Sequence, residues 1–232
     1  MVPETLTLLR HNIAHYVIVV VVVVMLELMM QATGIVTLVF AGLSMLYTHR
    51  MVQLGEVHGW ADPLGTTGKD GSKVPVVGYL LRFLALFMVL MLLMAGGFLA
   101  LGVSGISPEA DGAFALWGIA VGTPLFCGLL ALIGSVLPAC AERADTSLSA
   151  ALKRGRKAFG RDVLHLLTGP VAVGIAGMAL LAFTGWQATP DSPLLQRIAY
   201  QTLVTVLTLV PAILAAVILS RAYLRAESRP SA

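Results

Sequence analysis

Charge is what this 232-residue sequence has least of: Asp, Glu, Lys and Arg together make up only 12% of it. A water-soluble chain carries about a quarter, because charged and polar side chains must cover its surface. Aromatic residues are also few, at 7%, and there are two cysteines, Cys127 and Cys140. Neither cysteine falls in a CxxC or Cys/His spacing, which argues against a disulfide framework or a zinc site. They read as small buried side chains. No Gly-rich phosphate loop, nucleophile elbow, HExxH or CxxCH run occurs, and no paired histidines stand on facing spans as b-type haem would need. No catalytic residue, cofactor, metal or nucleic acid is therefore expected, and an enzyme is the disfavoured class.

Apolar residues make up 58% of the chain, in runs that match the roughly 20 residues needed to cross about 30 Å of hydrocarbon. The runs Val76–Val103, 113–137 and 200–223 are plain, with Pro124 read as the kink of the second and Pro211 near the middle of the third. A fourth, 164–186, is rich in Gly and Ala and closes on Trp186, an interfacial aromatic. The run 13–47 is harder. As one helix it would be on the order of 50 Å long, too long for a bilayer. As a hairpin turning at Gln31-Ala32-Thr33-Gly34 it gives two spans, 13–30 and 34–48, the second of them short. Nothing after Arg10 looks like a signal cleavage site, so the first run reads as a retained helix.

Basic residues orient the chain. The segment 141–161 holds Arg143, Lys153, Arg154, Arg156, Lys157 and Arg161, which places it in the cytoplasm. The acidic 104–112 loop then falls outside, while the loop from Arg50 to Lys73 and the tail bearing Arg221, Arg225 and Arg229 fall inside. Arg10 and two histidines also favour an inside N-terminus, which requires an even number of crossings. The expectation is an all-α, polytopic transmembrane helix bundle forming one membrane domain, 1–232. Six spans are favoured over five.

Between them, at about 146–161, Leu148, Leu152, Phe159, Val163 and Leu166 recur at helical spacing opposite the basic residues. That pattern describes an amphipathic helix in the headgroup layer. Lys153, Arg154, Arg156, Lys157 and Arg161 would contact anionic lipid headgroups, each contributing about 1 kcal/mol.

Glu27 is the costliest residue within a span, and such groups often mark ion or proton pathways; the plain alternative is a carboxyl near a helix end. Arg82 lies near the other leaflet and reads as an interfacial anchor, not its partner. His49, Glu56 and His58 could bind a transition metal, although their spacing matches no established ligand pattern. His165 is expected to open a helix at the interface. Gly118 and Gly122, with Gly174 and Gly177, form small-residue faces suited to close helix packing, within the bundle or against a partner.

Two stretches together carry a resemblance. One is His49-Arg50 with Gly55-Glu56 at the end of an early span. The other is Leu137-Pro138-Ala139, then Ser147-Leu148-Ser149-Ala150-Ala151-Leu152, then Gly155-Arg156 and Phe159 before a new span. Their order resembles the YciC-type family of bacterial inner-membrane proteins. The resemblance implies six crossings and a bacterial cytoplasmic membrane, and supplies no catalytic residues. The first two spans here are joined with almost no loop, a departure from that family. The functional expectation is a non-enzymatic accessory, scaffold or assembly subunit, with protein partners or further copies of itself in the bilayer. Its rival is a small-solute or ion transporter using Glu27, with Pro124 and Pro211 as helix breaks and Thr202, Thr205 and Thr208 as a polar stripe. A lipid-modifying enzyme ranks last.

Overall fold

The computed structural model describes residues 7, 9–30, 34–68, 71–103, 118–189 and 191–227. The expected turn residues 31–33, the 104–112 loop, the first residues of the fourth expected span (113–117) and Arg229 lie outside them. Among the described residues the regular structure is helical, apart from one antiparallel bridge between Thr67 and Lys73. Five described helices are long and apolar enough to cross a membrane. The chain is a multi-pass helical membrane protein.

The run 13–47 forms two helices, α1 (Ile13–Met30) and α2 (Ile35–Leu54), joined through Gly34 at φ +78°. They are antiparallel. Tyr16 meets Thr48 at 2.9 Å near one end of the pair, and Thr37 meets Glu27 near the other. In α1 the stripe His15, Val19, Val23 and Glu27 is buried, one residue per turn on one face. Val17, Val21 and Met25 are exposed on the other face. Both faces are apolar because both meet hydrocarbon, one from the bundle and one from lipid.

The second helix is longer than its apolar run. It continues through Thr48, His49 and Arg50, all buried, to Leu54, and Gly55 closes it at φ +61°. Gly is favoured at this closing position because its left-handed backbone carries no Cβ penalty. This corrects the expected end at 48: the polar residues there are covered by protein, so the helix need not stop where hydropathy falls.

Helix α3 (Val76–Val103) leans on the bundle through Tyr79, Phe83, Leu86 and Leu90, while Val77, Leu81, Leu92 and Leu99 stay exposed. A π-turn, Gly118–Gly122, leads into α4 (Thr123–Ile133). Pro124 sits in the first turn of α4, where its missing N–H costs nothing. It follows directly on the π-turn, so the helical chain passes from π to α geometry at the expected proline. The break falls at Gly134-Ser135, before the short α5 (Val136–Ala141).

Helix α6 (Leu148–Arg156) is capped by Ser147, whose hydroxyl accepts the Ala150 N–H. Asp145 braces the cap by accepting the Ser147 N–H and hydroxyl. Those bonds hold its carboxyl below the usual carboxylate range. After a break at Lys157-Ala158, α7 (Phe159–Leu166), a π-turn (Leu167–Val171) and α8 (Ala172–Thr184) follow one another as a continuous rod. The amphipathic helix is therefore shorter than expected, and Phe159 and Arg161 belong to the next span. Of the expected apolar stripe, Leu166 is buried and Val163 packs against the core, while Leu148 and Phe159 are exposed; Ala151 and Gly155 are also inside. A Cβ on Gly155 would run into the carbonyl oxygens of Leu132 and Ala131, so the small residues are what let α6 lie on the end of α4.

Last, α9 (Leu194–Glu227) has 34 residues, about 51 Å at 1.5 Å each, and extends past the bilayer core. It packs most extensively along α2. Both helices contribute to each of the two apolar cores, one shared with α1 and the other with α3, α4, α5 and α7. The pair α2–α9 is the axis of the molecule.

Because Gly155 faces backbone, Gly155→Ala is expected to lower stability by about 1–3 kcal/mol through overpacking. Gly160→Ala, which meets open space, is expected to change it little or raise it slightly. Thermal unfolding in detergent checks this, and equal effects at the two sites would contradict the packing.

Candidate functional site: a buried polar cluster at one end of the bundle

The start of α1, the end of α2, α5, the start of α3 and the last turns of α9 meet at one end of the bundle, and buried polar side chains concentrate there. Arg50 is 1% exposed. Its Nε and Nη2 donate to the two carboxylate oxygens of Glu56 at 2.8 and 2.6 Å, a bidentate pair. Its Nη1 donates to the carbonyl of Ala141, the last residue of α5, at 2.9 Å. That carbonyl belongs to a helix C-terminus, where a cation is favoured. His49, one residue earlier, turns to another helix: its Nδ1 lies 2.6 Å from the Ser220 hydroxyl on α9.

The loop after α2 folds back over the same end. Asn12 Oδ1 accepts the His58 N–H at 2.8 Å, His15 Nδ1 donates to the Pro63 carbonyl at 2.7 Å, and the Tyr47 hydroxyl donates to the Leu64 and Gly65 carbonyls. The rings of His15, Tyr47 and His58 meet at tilted or edge-to-face angles, with centroids 4.8 to 5.9 Å apart. Burial lowers the pKa of His58 below its ordinary 6.5, against the raising pull of Glu56 and Asp62. The imidazole is thus kept neutral, beside a carboxylate already neutralised by Arg50.

His49, Glu56 and His58, whose residue types alone would allow a metal, do not come together as a ligand set. The helix carries His49 to Ser220, while Glu56 faces Arg50. No group of three or more His, Cys, Asp or Glu residues among the described residues is placed to hold a metal ion.

Glu27 has a specific partner that its sequence position does not reveal. Its Oε1 accepts the Thr37 N–H at 3.2 Å and the Thr37 hydroxyl at 3.0 Å. Thr37 stands in the first turn of α2, where backbone N–H groups have no intrahelical acceptor. Gly34 before it has no side chain to cap them. Glu27 caps α2 from the neighbouring helix, at the end where an anion is favoured. Arg82 stands apart from it, donating to Gly78 O and to Thr146 Oγ1, so that it ties α3 to the turn before α6.

The glycines expected at packing faces work inside the bundle. A Cβ on Gly122 would strike Met94, one on Gly177 would lie 2.8 Å from Leu207, and Gly174 faces Pro211; Gly118 only just reaches Met94. The basic residues separate into two groups. Lys153, Arg156, Lys157 and Arg161 are all exposed, the last two with protein partners. Arg154 donates to Glu227 at 2.7 Å and to the Asp145 carbonyl, and lies over the Tyr223 ring. Lys157 donates to the Ala226 carbonyl, and Arg161 lies 3.7 Å from Asp162. His165 falls in the last turn of α7, within the rod 159–184, so it does not open a helix. Of the threonine stripe, Thr202 and Thr208 bond back to the Ile198 and Val204 carbonyls, and Thr205 is buried. Cys127 and Cys140 are buried and free.

An apolar cavity of about 330 Å³, partly open at the surface of the bundle, is walled by Met45, Phe83, Phe126, Leu130, Pro170 and Pro211, among other apolar residues. No family model matches the chain, and neither a curated protein nor a solved structure matches it.

His58 is neutral in the folded protein and free to protonate when unfolded, so the unfolded state binds more protons in acid. Stability is expected to be full above pH 6.5 and to fall as the pH drops through that value. His58→Gln is expected to flatten the fall, as read by melting temperature between pH 5 and 8. An identical pH profile in the variant would contradict this.

Proposed function

We propose that the protein is a non-enzymatic accessory, scaffold or assembly subunit of a larger membrane complex. The observation that carries this reading is the use to which the buried polar groups are put. Arg50, Glu56, His49, Ser220, Asn12 and Glu27 join helices to helices or to the loop that closes over them, and they are buried. They make a fixed framework and present no reactive group to a substrate. The membrane is that of the bacterial cytoplasm, with the 138–164 segment and both termini on the cytoplasmic side. The gathering of Arg50, Arg143, Arg154, Lys157 and Arg225 at one end of the bundle supports this orientation. A kinship with the YciC-type family rests on residues that meet at that end, Arg50, Glu56 and the 137–139 run beside Ala141.

The rival reading, a small-solute or ion transporter, draws support from the cavity, which Pro170 and Pro211 flank. Its apolar lining suits a hydrophobic solute rather than an ion. Glu27, engaged as a helix cap, gives that reading little.

Affinity purification in mild detergent from cells expressing the tagged chain at native level is expected to yield a stoichiometric partner. That partner should remain through size exclusion and capture this chain in the reciprocal experiment. A lone protein eluting as a monomer would contradict the subunit reading.

A further inference from the structure

Where α6 and α7 meet the last turns of α9, a small notch is lined by Arg154, Lys157, Arg161 and Arg225, with Ala158, Ala222 and Ala226 between them. Among the described residues two carboxylates face these four cations: Asp162, 3.1 Å from Arg225 and 3.7 Å from Arg161, and Glu227, 2.7 Å from Arg154. The Arg154 side chain is 10% exposed. Its Nε and Nη2 are bonded, while its Nη1 is buried with no hydrogen-bond partner. A buried guanidinium N–H without an acceptor is costly, and an excess of cations around it calls for an anion with several acceptor oxygens.

We propose that this notch is a binding site for the phosphate of an anionic membrane phospholipid. A lipid is favoured over free phosphate by what lies behind and beside the notch. A narrow cleft shares Arg154 and Ala222 with it and shares Leu130 with the apolar cavity. Along α9 the lining thus passes from hydrocarbon at Pro211, Ala212 and Ala215 to cations at Arg225, the order of polarity within a phospholipid. Phe159 and Leu164, on the helix that supplies Arg161, are 40% and 58% exposed, which suits a surface lying in the headgroup layer. The site is narrower than a basic helix face. It takes in Arg225 from α9 and leaves out Lys153 and Arg156, which do not line the notch.

The test is native mass spectrometry of the full chain with phosphatidylglycerol or phosphatidylcholine, comparing two variants of equal charge loss. Lys157→Gln/Arg161→Gln is expected to weaken phosphatidylglycerol retention at least about tenfold. Lys153→Gln/Arg156→Gln is expected to leave it within about twofold, both variants melting near the wild-type temperature. Should Lys157→Gln/Arg161→Gln not fold, Arg161→Lys and Arg161→Gln are compared, and the proposal then requires the lysine variant to retain more lipid. Equal losses from the two double variants would reduce the effect to diffuse surface charge and overturn the site. Equal retention of phosphatidylcholine would overturn it as well, and so would displacement of the lipid by millimolar inorganic phosphate. The outcome does not depend on whether the chain has a partner subunit.

Discussion

A guanidinium carried into an apolar interior must be neutralised where it sits, and here the carboxylate that does so lies six residues further along the same chain. Arg50 is one turn from the end of α2; Glu56 follows immediately after the glycine that closes it. For the two to meet bidentately, the chain must reverse at Gly55, and the reversal sends the loop back across the ends of α1 and α2. The third arm of Arg50 reaches the C-terminal carbonyl of α5. One ion pair thus fixes where a helix stops, which way the loop leaves, and where α5 docks. His49, pointing a helical step away, fixes the position of α9 through Ser220.

Such pairs contribute little net stability, since the cost of removing two charges from water offsets most of their attraction. Their effect is on which arrangement is stable. Between membrane helices rich in Val, Leu and Ala, lipid and protein offer nearly the same apolar surroundings, so burial alone does not choose a register. Close packing at small residues chooses in part, as where Gly42 admits the Phe83 ring and Gly155 admits backbone carbonyls. The polar contacts choose the rest. Glu27 on Thr37 sets the hairpin at its turn, Tyr16 with Thr48 sets it near the opposite end, and Arg50, His49 and Asn12 set the elements around it.

The spans were legible because hydropathy over about 20 residues reports the surrounding lipid directly. What the sequence concealed were the places where protein replaces lipid or water as the neighbour. The stretch from Thr48 to His58 looks like a polar loop with a loose metal-like cluster, yet most of it is helix and its polar groups are covered. A signal was present: Gly55 reads as a helix-closing glycine, which would have placed Arg50 inside the helix and Glu56 just beyond it. For α6 the sequence pattern did not reveal that the small residues Ala151 and Gly155 are the ones that pack inward. The capping role of Glu27 was hidden, since it depends on a neighbour ten residues away across a turn.

The central claim is that Arg50 and Glu56 act as one buried unit on which the arrangement of α2, α5 and the closing loop depends. A double-mutant cycle with Arg50→Met and Glu56→Leu, read by reversible unfolding in detergent, addresses it directly. Each single change leaves an uncompensated buried charge and is expected to cost about 3–5 kcal/mol, with the double variant recovering most of that loss. Two small, additive losses would show that the pair does not hold these elements in place.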